Sequence, residues 1–240
     1  MPATKPRRPR AATTTARRPR PAVETLADLF RALGGVSAER VRLDPPLGTA
    51  TAADVVRLLH AADKRVCELV DGTLVEKAMS FEASYIALLL GRLVGNYVEA
   101  NGDFGIVAGA DGGVRFAKGL VRFPDVSFVR LDRLPGGVVP RGPLLEVVPD
   151  LAVEALSPKN TRAEIARKLG EYFAAGVRLA WVIDPASRTV RVFTAPDAVT
   201  ELTAADTLTG GDVLPGFAVP VAKLFAKLPP PKKRGKKKPK

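Results

Sequence analysis

The chain has 240 residues, 46% of them hydrophobic, and a net charge of +12 from 37 basic and 25 acidic side chains; this is an ordinary globular composition with enough apolar content for one sizeable core. Its single cysteine, Cys67, excludes an internal disulfide and a cysteine-rich zinc site, and fits a reducing, cytoplasmic compartment. No apolar run approaches the roughly 18 residues of a membrane span, and the Arg- and Pro-rich start has no apolar stretch of the kind a secretory signal needs.

The charge is concentrated at the two ends. Residues 1–22 hold seven basic side chains, including Arg7 and Arg8, and no acid. Seven more stand in residues 232–240: Lys232, Lys233, Arg234, Lys236, Lys237, Lys238 and Lys240. Without these fourteen, 23 basic residues face 25 acidic ones, so the body of the chain is slightly acidic. Like-charge blocks rich in proline cannot collapse into a core, which predicts disordered tails over 1–22 and 229–240. Such tails either tether the protein to a polyanion through phosphate contacts or only solubilise it.

Between them, residues 23–50 form an N-terminal extension and 51–228 the main domain. Leu26, Leu29, Phe30 and Leu33 recur at helical spacing and predict a short amphipathic helix, stopped by Gly34-Gly35. Val41 to Gly48 is a loop, broken by Asp44-Pro45-Pro46. Thr51 followed by Asp54 is a capping arrangement that opens a helix through Val55, Val56, Leu58 and Leu59. His60 is the only histidine, so a Ser-His-Asp triad and a histidine-rich metal site are excluded.

Asp71-Gly72 separates two alternating runs, 66–70 and 73–76, which is the signal of a tight hairpin. Ser80 to Ala100 is a long helix with Ile86, Leu89, Leu90, Leu93 and Tyr97 on its apolar face, ended by Asn101-Gly102. Glu82 in its first turn suits the positive helix end, or serves as a supporting acid at a metal site. Strands are predicted over 105–109, 113–116 and 120–129, then a Gly- and Pro-rich surface loop to Pro149, then a strand over Leu151 to Leu156.

The next helix is bracketed by a capping box at Thr161 and Glu164 and by Gly176. Ile165, Leu169, Tyr172 and Phe173 form its buried face. At 100° per residue Lys168 falls about 60° from Ile165 and about 40° from Tyr172, on the border of that face, whereas Arg167 falls about 160° from Leu169. Of the two adjacent cations, Lys168 is the one that turns towards the sheet. Leu179 to Ile183 reads as a buried strand, 189–193 as its hairpin partner, 208–216 as a Gly-rich loop and 219–228 as a short apolar segment. The whole is α+β, a mixed sheet with helices on its faces.

Two acids stand inside apolar strand sequence: Asp125 among Phe123, Val126 and Phe128, and Glu154 among Val153 and Leu156. Burying a carboxylate there is costly unless it is paired or binds a metal. Two such acids with carbonyls and waters make an oxygen-rich site for Mg²⁺. The alternative is a pair of salt-bridged strand residues on a wet face.

Val121-Arg122-Phe123-Pro124-Asp125-Val126, the run Pro149 to Pro158, Lys168, Tyr172, Ala175-Gly176-Val177 and Trp181 to Pro185 together resemble the Uma-type family of bacterial putative restriction endonucleases, within the PD-(D/E)XK nuclease superfamily. Glu68 to Gly72 and Gly211 to Phe217 match its beginning and end, so the resemblance spans about residues 50–226. It implies a restriction-endonuclease-like central mixed sheet flanked by helices. By that resemblance Pro124-Asp125 is the PD element, Glu154 the second acid and Glu68 a supporting acid. Leu156 occupies the place where the superfamily pattern has lysine. The family's lysine has moved to the following helix, which implies Lys168, with Lys159 the runner-up. Ala83 stands where relatives often carry histidine.

The resemblance thus implies a Mg²⁺-dependent DNA endonuclease, Mn²⁺ being an alternative metal, with Asp125 and Glu154 holding metal and Lys168 assisting. Double-strand cleavage would imply a homodimer. A catalytically silent module of the same fold, anchored to nucleic acid by its tails, is the competing reading. A partner-binding protein with merely solubilising tails is a third.

Overall fold

The computed structural model describes residues 23–230. The basic tail residues Arg7, Arg8, Lys232, Lys233, Arg234, Lys236, Lys237 and Lys238 lie outside that range, as does the expectation of disorder there. Helix α1 (Leu26–Ala32) starts at Thr25, whose hydroxyl and backbone are reciprocated by Asp28. Leu29 and Leu33 are buried against Val36, Val70 and Val75, but Leu26, expected on the same face, is 63% exposed. It sits at the first helical position, beyond the reach of that small cluster. Helix α2 (Ala52–Leu59) opens at Thr51, whose backbone N–H donates to Asp54 at 2.9 Å.

Strands β1 (Cys67–Val70) and β2 (Thr73–Glu76) form the expected hairpin, with positive φ at Asp71 and Gly72. Helix α3 (Phe81–Ala100) is capped by Ser80. Its buried face is Ala83, Ile86, Ala87, Leu90, Val94 and Val98, while the expected Leu89, Leu93 and Tyr97 lie at its margin. Ala83 and Ala87 also line the cleft between α3 and β3, so this face of the helix carries small side chains.

The predicted strand over 120–129 is two strands in two sheets. After β3 (Gly105–Gly109) and β4 (Val114–Ala117), β5 (Leu120–Arg122) joins a four-stranded sheet of order β2-β1-β5-β4. Phe123-Pro124-Asp125 then carries the chain across, and β6 (Val126–Arg130) belongs to a second sheet. Pro124 has no N–H to give a ladder, which ends the first pairing. Strands β7 (Leu151–Ala155), β8 (Leu179–Asp184), β9 (Thr189–Ala195) and β10 (Ala198–Leu202) complete the second sheet, in the order β10-β9-β8-β7-β6-β3. Its one parallel pair, β7 with β8, is bridged by α4 (Arg162–Ala175), so the sheet is mixed.

Strand β10 has four of its five residues exposed and carries no apolar alternation, so it left no sequence signal. The expected Gly-rich loop over 208–216 is instead mostly a hairpin of β11 (Thr207–Gly210) and β12 (Leu214–Pro220), turning at Gly211 with φ 51°. Leu208, Leu214, Phe217 and Val219 bury on the main core and pin it there, so the glycines serve the turn. A short helix, α5 (Val221–Phe225), closes the described chain.

The central sheet is covered on both faces. Leu151, Val153 and Ala155 of β7 pack with α3, β12 and α5, where Trp181 stacks on Phe217. Ala152 packs with Tyr172 of α4, and Ala180 and Val182 of β8 pack with Ile165 and Leu169. Because side chains alternate along a strand, Glu154 shares the α4 side with Ala152.

Candidate active site

Strands β6 and β7 are antiparallel, with Val126 opposite Val153. Asp125 immediately precedes Val126 and Glu154 immediately follows Val153, so the two acids stand at the same end of this strand pair. The backbone N–H of Asp125 donates to the Val153 carbonyl at 2.8 Å, and the N–H of Ala155 donates to Asp125 Oδ2 at 2.7 Å. The sheet switch at Pro124 therefore orients the acid it delivers.

Glu154 reaches α4. Its Oε2 lies 3.0 Å from Lys168 Nζ, and its Oε1 accepts a hydrogen bond from the Tyr172 hydroxyl. Lys168 also pairs with Glu68 Oε1 at 2.9 Å. Glu68, on β1 of the smaller sheet, gives its other oxygen to Arg122 Nη1 at 2.7 Å, and Arg122 continues to Glu171 at 2.6 Å. On the opposite side Lys77, just past β2, pairs with Asp125 Oδ1 at 2.7 Å. Glu154, Lys168, Glu68, Arg122 and Glu171 thus form one chain of ion pairs spanning both sheets and α4, and the Lys77–Asp125 pair joins this network through the charge it exerts on Glu154.

Burial is nearly complete and sets the electrostatics. Desolvation would raise Glu68, but Lys168 and Arg122 overcome it and hold its carboxyl at about 2. Glu154 is pushed up, first by burial and then by Asp125 and Glu68, against the pull of Lys168. Burial opposes the charge on Lys168, yet Glu154 and Glu68 raise it above the ordinary lysine value. The Tyr172 phenol is pushed well up by burial and by Glu154, so it remains a donor.

The structure brings together Asp125, Glu154, Lys168 and Glu68. It does not bring Lys159, which pairs with Glu39 at 3.0 Å with both side chains more than half exposed. Nor does it bring Glu82, an exposed residue of the first turn of α3 that neither joins the network nor lines the neighbouring cleft. His60 is exposed at the end of α2. The sequence reading missed Lys77 and Arg122 as members and gave Tyr172 only a packing role. Arg122 did carry a signal, a cation inside an apolar strand run like the two acids. Lys77 had none, standing in an ordinary stretch after the hairpin.

A cleft of about 750 Å³ opens between α3 and β3 and reaches this network at Lys77 and Asp125. Among the described residues, no group of three or more His, Cys, Asp and Glu side chains is placed to hold a metal ion. A site for Mg²⁺ would rest on two carboxylates, Asp125 and Glu154, and this donor set fits a cation that takes its remaining ligands from water and phosphate.

A mixed central sheet with helices on both faces makes this an α+β fold. A solved structure shares it: the protein described as "a putative nuclease belonging to DUF820" from Anabaena variabilis ATCC 29413, with a TM-score of 0.64 and 18% identity over 73% of this chain and 97% of that one. The chain belongs to the Uma2 family, described as putative restriction endonuclease, whose family model matches residues 27–222. No curated protein sequence matches it. Among the described residues, no helix is long and apolar enough to cross a membrane.

Proposed function

We propose that this chain is a metal-dependent endonuclease that hydrolyses DNA phosphodiester bonds, with Asp125 and Glu154 as metal ligands, Lys168 as the site's lysine and Glu68 as a supporting acid. The observation that carries this reading is Asp125 hydrogen-bonded to Val153 and Ala155, the residues flanking Glu154, with Lys168 on Glu154 at 3.0 Å, in a member of the putative restriction endonuclease family. Bound there, Mg²⁺ or Mn²⁺ would neutralise charge on the phosphoryl oxygens and acidify a water. The protein's part is preorganisation. Ala155 N–H fixes the Asp125 carboxylate, and Tyr172 and Lys168 fix Glu154. Glu154 and Glu68 keep the Lys168 ammonium charged and in place, and Arg122 in turn holds Glu68. The basic tails, on this reading, supply salt-sensitive affinity for the DNA backbone, and double-strand cleavage would call for a homodimer.

The test is nicking of supercoiled plasmid with Mg²⁺ or Mn²⁺ by the parent, Asp125→Ala and Glu154→Gln. Each substitution should lower nicking by roughly a hundredfold or more, the scale of losing a preorganised electrostatic group. An Asp125→Ala protein as active as the parent would sink the assignment.

One observation favours a second reading, a catalytically silent binding module. Every oxygen of Glu68, Asp125 and Glu154 already has a protein partner, so the network is self-sufficient as a structural cross-link. A parent that nicks under neither metal, yet retains DNA in a salt-sensitive way that trimming both tails abolishes, would establish it.

A further inference from the structure

Lys77 holds a place in this network that the two-acid reading does not use. Its side chain is buried, yet it lines the cleft between α3 and β3 together with Asp125. Its ammonium stands 2.7 Å from Asp125 Oδ1, and a longer hydrogen bond of 3.3 Å reaches the Ala110 carbonyl. Lys168 differs on both counts. It does not line the cleft, and it holds two carboxylates, Glu68 at 2.9 Å and Glu154 at 3.0 Å.

Asp125 is the acid through which the cleft meets the network. Its Oδ2 is committed to the Ala155 N–H at 2.7 Å. Oδ1 is therefore the oxygen that a cation arriving from the cleft would engage, and Lys77 stands on it. Two cations on one carboxylate oxygen repel strongly at that separation, most of all away from bulk water. The lysine is also the partner best able to yield. It begins the irregular segment 77–80 between β2 and α3, and its flexible four-carbon stem can carry the charge elsewhere in the cleft.

We propose that Lys77 and a divalent cation exchange at Asp125: the ammonium is the resident counter-ion of this acid, and metal binding displaces it into the cleft. Lys168 is then the structural counter-ion and Lys77 the mobile one. The purpose of the exchange rests on the nuclease reading, because the displaced ammonium would face a phosphate in the cleft. The exchange itself does not depend on cleavage.

The experiment is calorimetric titration of the full-length protein with Mn²⁺ alone, for the parent, Lys77→Met, Lys77→Arg, Arg92→Met and Lys77→Met with Asp125→Asn. Lys77→Met should bind Mn²⁺ about tenfold tighter or more, since a competing cation has gone. Lys77→Arg, which keeps a cation, should stay within about threefold of the parent. Arg92 lines the same cleft without pairing with Asp125, so Arg92→Met should change affinity by less than about twofold. The gain should vanish when Asp125→Asn is added. Melting curves check each fold, and Lys77→Gln replaces Lys77→Met if the latter does not fold. Affinity in the neutral variant equal to or weaker than the parent's overturns the exchange. So does a gain of the same size in Arg92→Met, or one that persists without Asp125. Plasmid nicking is read alongside. Tightened Mn²⁺ binding with no nicking by the parent removes the nuclease reading and leaves the exchange standing.

Discussion

The ammonium of Lys168 lies 3.0 Å from Oε2 of Glu154, fourteen residues away along the chain. Three local features produce that contact. β7 ends at Ala155, the Thr161–Glu164 capping box sets where α4 begins, and the helical period then turns Lys168 back over the strand. The same ammonium holds Glu68 at 2.9 Å, so one side chain joins the larger sheet, the smaller sheet and α4.

Lys168→Met should therefore strand two buried carboxylates. Breaking a buried ion pair by removing one partner costs about 3–5 kcal/mol. Urea denaturation should show a loss of this size, and Lys168→Met combined with Glu68→Gln should recover part of it. A single variant as stable as the parent would contradict the cross-linking role.

Tyr172→Phe tests the second contact on Glu154. The ring packs against Phe116 and would stay, while the hydrogen bond to Glu154 Oε1 would go. A buried acceptor left unpaired costs about 1–3 kcal/mol. We expect that loss in denaturant melts, together with a fall in plasmid nicking. Unchanged stability would mean that the hydroxyl bond contributes nothing.

The buried pair of Arg40 and Glu164, at 2.6 and 3.0 Å, ties the N-terminal segment to α4 and predicts an acid-sensitive component of stability. Burial alone would raise the Glu164 carboxyl, but the hydrogen bonds from Arg40 override it and hold the group below the usual glutamate value. A depressed carboxyl contributes stability that is fully present above its unfolded pKa, about 4.3, and is lost as pH falls through the folded value. Glu164→Gln should cost about 3–5 kcal/mol at pH 6. That deficit should shrink as pH drops below about 4, because the parent then protonates as well. A deficit unchanged down to pH 3 would show that the charge is not what matters.

Cys67 should be inert in the folded protein. It is fully buried, and burial pushes its thiol up to about 11. The thiolate is the reactive form. A thiol reagent at pH 8 should leave the native protein untouched and label one thiol per chain in denaturant. Rapid native labelling would mean that β1 opens readily.

Local signals in the sequence determined much of this protein. The capping pairs at Thr51 and Thr161, the Asp71-Gly72 turn, the Gly176 stop and the inward register of Lys168 are each decided within a few residues, by hydrogen bonds and backbone angles that neighbours supply. So is the anomaly of Asp125 and Glu154, two acids in apolar strand sequence, and with the surrounding motifs it pointed to the restriction endonuclease family. Tertiary structure alone decided what crosses between elements. The run 120–129 looks like one strand because each half alternates correctly; that Pro124 moves the chain from one sheet to the other depends on which partners pair with each half. Strand β10 pairs through its backbone and needs no apolar face, and the β11–β12 hairpin is held by a core assembled from distant residues. Lys77 meets Asp125 for the same reason. Nothing near position 77 calls for a carboxylate, and the pair exists only because the smaller sheet delivers the end of β2 to the point where β6 begins.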